Sequence, residues 1–151
     1  MKKIVLASLA LFLLIGTAIA GGGLDGFLSN LNVQARADMN GFSARISAQF
    51  GVPVAQVTAV IGTVKEPADA FMCFQLGQWT QKPSGQIVEV YKANKGKGWG
   101  VIAKRMGIKP GSAEFHALKR GDLSLSGQPT VQESEGHGKG KGKGKGKGHN
   151  K

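Results

Sequence analysis

The chain has 151 residues, with 20 Lys+Arg against 9 Asp+Glu, a formal net charge of +11, 24 glycines and one cysteine. That length holds one domain of ordinary size. A single cysteine excludes a disulfide framework and any multi-cysteine zinc site, and three widely spaced histidines do not suggest a His-built metal centre.

Residues Met1 to Ala20 read MKKIVLASLALFLLIGTAIA. Lys2 and Lys3 form a positive start, Ile4 to Ile15 an apolar run, and Ala18-Ile19-Ala20 a small-x-small cleavage pattern. These are the parts of a secretory signal peptide. The run is shorter than the roughly 20 residues a spanning helix takes. The expectation is an exported protein, periplasmic or extracellular after cleavage near Ala20.

Residues 21–32 are glycine-rich and are expected to be a loose segment, with Leu24, Phe27, Leu28 and Leu31 able to dock on a core. A helical domain is expected over 33–123. Its first helix covers about 33–50, on the stripe Met39, Phe42, Ile46 and Phe50. Gly51 and Pro53 end it and start the next, whose stripe is Val54, Val57, Ile61 and Val64. Its β-branched residues leave a strand open, but the 3-4-3 spacing favours a helix. Glu66-Pro67 starts a third helix running to about Thr80, with Asp69 favourable in its first turn. Within it Cys73 lies in the apolar run Phe71-Met72-Cys73-Phe74, which reads as a buried small hydrophobe.

Lys82-Pro83-Ser84-Gly85 is a break, followed by a fourth helix at about 85–94. The fifth, about 98–106, carries Trp99, Ile102, Ala103 and Met106 on one face, with Trp99 read as core. Ser112 is a good N-cap for a sixth helix at about 113–120, which carries Phe115 and Leu118 and closes at Gly121. No amphipathic pattern follows Asp122. The fold class is therefore all-α, a bundle of five to six short helices, with residues 124–151 expected to be a disordered tail. From Gly138 to Gly148 that tail alternates glycine with Lys139, Lys141, Lys143, Lys145 and Lys147. Such a composition predicts a self-repelling polycation, either a solvated spacer or a grip on polyanions.

The positive charge is not spread evenly. Residues 92–120 carry Lys92, Lys95, Lys97, Lys104, Arg105, Lys109, Lys119 and Arg120 against Glu114 alone, while residues 21–91 are nearly neutral. The loop Lys95-Gly96-Lys97-Gly98 leads into a helix, where glycine lets an anion approach closely. It lacks P-loop spacing. Candidate anion-binding residues are Lys95, Lys97, Gly98, Lys104, Arg105, Lys109, Lys119 and Arg120, together with the five tail lysines. The partners this chemistry fits are nucleic acid, acidic polysaccharide or lipid head groups, bound without sequence preference. No Ser/His/Asp arrangement, paired carboxylates or HExxH motif occurs, so neither an enzyme nor a cofactor is expected.

Two resemblances accompany these residues. Ala103, Gly107 and Ile108, followed by Phe115 and Leu118, resemble the cadence of the helix-turn-helix family, with Pro110-Gly111 lengthening the turn. In that pose Ser112, Glu114, His116 and Lys119 would face DNA. The block GKGWGVIAKRMGIKPGSAEFHALK, with PADAFMCFQLG upstream and the lysine-glycine ending, is similar to a family of small exported bacterial helical proteins of uncharacterised role. That resemblance spans roughly residues 40–151 and implies a small helical exported domain without bringing an activity. The alternatives to polyanion binding are a helical protein-interaction module and a helix-turn-helix-like nucleic-acid binder, each with the tail as spacer. The export reading predicts that the isolated protein begins at Gly21 when its N-terminus is read by mass spectrometry. An intact Met1 in cytoplasmic protein would overturn it.

Overall fold

Seven α-helices and their connections make up residues 23–127, the part of the chain that the computed structural model describes. The expected all-α class holds, and there is no strand among the described residues. The segment expected to be loose is largely helical, because α1 spans Leu24–Ala37. Leu24, Phe27, Leu28 and Leu31 follow i, i+3, i+4, i+7 spacing, which makes one apolar stripe. Leu31 is fully buried and the other three pack against the core. That burial outweighs the cost of about 1 kcal/mol for Gly26 inside the helix.

Nor is 33–50 one helix. Asp38 leaves the helical backbone (φ −151°), and its carboxylate accepts from the Gly41 N–H at 2.8 Å. It is the N-cap of α2 (Met39–Phe50). A short acidic side chain satisfies a free N–H at a helix start, and this local bond outcompetes continuation of the apolar period. α3 (Val54–Ile61) begins after Pro53 as expected, but it buries Val57 and Val60 while Val54 is 46% exposed. The helix ends before Val64, so the longer stripe has no helix to lie on.

α4 (Pro67–Thr80) is the central element, buried without a break from Ala70 to Gly77. A helix apolar on every face belongs in the middle of a core, and α4 packs against α1, α2, α3 and α5 (Ser84–Ala93). Phe71 receives Phe27 and Phe50 edge-on at 5.4 and 5.7 Å between centroids, and Phe74 stacks on Phe50 at 5.8 Å. Asn32 of α1 accepts from the Ala68 N–H at 2.8 Å, so it satisfies a backbone donor in the first turn of α4.

α6 (Trp99–Arg105) packs on α5 and on α7 (Ala113–Arg120), and α7 returns to α1. The return is a backbone-to-backbone approach. Gly121 has φ 70°, and a Cβ there would stand 2.5 Å from the Gly23 carbonyl, so only glycine fits. The packed chain also runs past residue 123. Leu125 is 1% exposed, and Gln49 holds the strand of chain beside it by donating to the Ser124 carbonyl and accepting from the Ser126 N–H. The segment expected to be tail from residue 124 is thus packed on the fold as far as it is described, and its remainder lies outside the described residues.

One carboxylate joins these layers. Asp69 Oδ2 accepts from the Tyr91 hydroxyl at 2.8 Å and from the Glu66 N–H at 3.1 Å, and Oδ1 accepts from Trp99 Nε1 at 3.2 Å. The Tyr91 oxygen in turn accepts from the Lys65 N–H at 3.2 Å, and its ring stacks on Trp99 at 5.4 Å. α4, α5, α6 and the α3–α4 connection are therefore tied at one point. Asp69→Ala leaves the Tyr91, Trp99 and Glu66 donors without their acceptor and is expected to cost about 3 kcal/mol. Urea unfolding reads this as a lowered midpoint with an unchanged slope. A loss within about 0.5 kcal/mol, the range of an ordinary surface substitution, would remove Asp69 from this role.

Candidate anion-binding cleft

The basic block 92–120 folds into the end of α5, the loop to α6, α6 itself, a turn, and α7. Gly98 (φ 81°) turns the loop into α6. Along α6, Trp99, Ile102, Ala103 and Met106 are buried, as their spacing predicts. Of the remaining positions, Gly100, Val101 and Lys104 face a cleft of about 360 Å³ between α6, α7 and the start of α1. Val101, Phe115, Leu118 and Leu24 give it an apolar lining. Lys97 from the loop, Lys104 from α6 and Lys119 from α7 add three ammonium groups, and Asp25 of α1 adds one carboxylate. All four charged residues are exposed, and none of them takes part in an ion pair among the described residues.

The structure thus brings together three of the expected cations and separates the others. Lys95 and Arg105 are exposed outside the cleft, and Gly98 shapes the loop without lining it. Lys109 lies beside a different cavity, with Trp79, Ser112 and Glu114. Arg120 is bound to Asp122 at 2.7 Å, an exposed pair of small energetic weight. The five tail lysines lie outside the described residues, as do residues 1–20. Sequence reasoning missed the α1 wall of the cleft, Leu24 and Asp25. Its signal was present in the i, i+3, i+4, i+7 stripe of α1, masked by four nearby glycines.

The residues of the helix-turn-helix cadence sit at helix-packing positions. Ala103 is fully buried, Ile108 is 7% exposed, and Gly107 (φ 98°) turns the chain. Ser112 caps α7 by accepting from the Phe115 N–H, while Glu114, His116 and Lys119 are exposed. No group of three or more His, Cys, Asp or Glu able to hold a metal exists among the described residues, and no helix among them is long and apolar enough to cross a membrane.

Cys73 of α4 and Tyr91 of α5 do not line the cleft. Cys73 is fully buried, and burial, with the Asp69 charge adding to it, pushes its thiol from 9.0 up to about 12. A cysteine so fully enclosed packs as a small hydrophobe. Burial likewise pushes the Tyr91 hydroxyl from 10.0 to about 12; the Lys65 N–H opposes this and Asp69 adds to it. Both groups hold their protons more tightly when folded, so their contribution to stability is complete below the unfolded values and is lost as pH rises toward 12. Tyr91→Phe and Cys73→Ala should each show a shallower fall in Tm across that alkaline window than the parent, each measured against its own neutral-pH value. Equal slopes would show that these protons are not linked to folding. In comparisons with protein-family models, curated proteins and solved structures, nothing matches this chain.

Proposed function

We propose that this is an exported, non-enzymatic protein that holds an anionic partner electrostatically, through the cleft lysines and the lysine-glycine tail. The observation that carries the reading is the convergence of Lys97, Lys104 and Lys119, from three separate segments, on one cleft without an ion pair among the described residues. Three like charges gathered against a single carboxylate, Asp25, raise the folded protein's self-energy, and an anionic partner relieves it. The net charge of +11 and the concentration of cations after residue 91 agree with this. The export element rests on the Met1–Ala20 pattern.

The test is retention on immobilised heparin across a salt gradient, using the full chain, a chain stopped at Gln132, and Lys97→Ala/Lys104→Ala/Lys119→Ala. Each lysine that neutralises an anionic group contributes up to about 1 unit to the slope of log affinity against log salt. The triple variant should therefore elute earlier, with a slope lower by up to about 3 units. The shortened chain should also elute earlier than the full one. Equal elution of full and shortened chains removes the tail from the account, and equal elution of the triple variant removes the cleft.

A further inference from the structure

We propose that the cleft between α1, α6 and α7 is a binding site for a small amphipathic anion, a short acyl or aryl body bearing one carboxylate. This rests on the reading of the three lysines as anion-binding and adds the nature of the ligand. A surface that only attracts a polymer backbone has no use for an apolar lining. Here Leu24, Val101 and Phe115 are partly buried and stand beside Leu118, which is 1% exposed. About 360 Å³ falls within the range of small-molecule sites, about 300–1,000 Å³, where an apolar lining is combined with a few polar groups that fix orientation.

The arrangement of charge sets the rest. Lys97, Lys104 and Lys119 come from the α6–α7 side, and Asp25 comes from α1. An anionic head is drawn to the lysines, while Asp25 disfavours a second negative charge at the other wall. One head group and an apolar body directed toward Leu24 satisfy both. The cavity beside α4, at about 450 Å³, offers no such combination. Its single lysine, Lys82, already donates to the Met106 carbonyl at 3.4 Å.

The experiment follows side-chain NMR signals of the full chain on titration with decanoate, with decanol and inorganic phosphate as separate titrants, beside heparin retention of the same samples. The expected result is saturable shifts confined to Leu24, Val101, Phe115 and Leu118 with decanoate, and none with decanol or phosphate at equal concentration. Lys104→Ala, an exposed change that leaves the core intact, should weaken decanoate about tenfold. Val101→Asp should abolish it. Decanoate shifts that spread over the chain, or that persist unchanged in Lys104→Ala, would overturn the site. Heparin retention without any localised decanoate shift overturns this inference and leaves the broader anion-binding reading standing. Localised shifts without heparin retention would leave the cleft a site for small anions and remove the polymer. Loss of both readouts ends both.

Discussion

The carboxylate of Asp69 is the point on which this bundle turns. A charge withdrawn from water must be met by donors, or its desolvation is not repaid. Here three donors meet it, from the Tyr91 hydroxyl, the Trp99 indole and the Glu66 backbone. Its place in the first turn of α4 adds the favourable interaction of an acid with a helix N-terminus. No apolar residue could replace it, because the indole and the phenol would then be left without their acceptor.

The consequence reaches the cleft through Trp99. α6 is only seven residues long and packs on α5 and α7. The indole–carboxylate bond adds a direct link to α4 and fixes the rotation of α6 about its axis. With Trp99, Ile102 and Ala103 turned inward, Val101 and Lys104 must turn toward α7 and α1. The position of a surface lysine is thereby set by a half-buried hydrogen bond on the opposite face of the same short helix. The π-stack of Trp99 on Tyr91 reinforces the same rotation.

What was legible in the sequence was local. Pro53 and Pro67 mark helix starts, and Ser112 and Gly121 frame α7, because these signals act on the backbone within one turn. The buried state of Cys73 followed from its apolar neighbours. The helix break at Asp38 is hidden in the sequence because its cap competes with an apolar period that runs straight through it. α1 was misread because its glycines, taken alone, argue for loop, and its burial is supplied by distant partners. The Asp69 network and the α1 wall of the cleft share that long-range origin. Tyr91 lies 22 residues from Asp69 and Trp99 lies 30, separations over which no pattern of residue types reports a contact.

The meeting of Gly23 with Gly121 has a bearing on how the molecule is made. The start of the first helix and the end of the last meet backbone to backbone across nearly the whole of the described residues. A chain synthesised from its N-terminus therefore holds α1 without its final neighbour until α7 has left the ribosome. Closing so long a loop costs more chain entropy than forming the local helices does. A nascent chain in that state has half of its cleft in hand and none of its clasp.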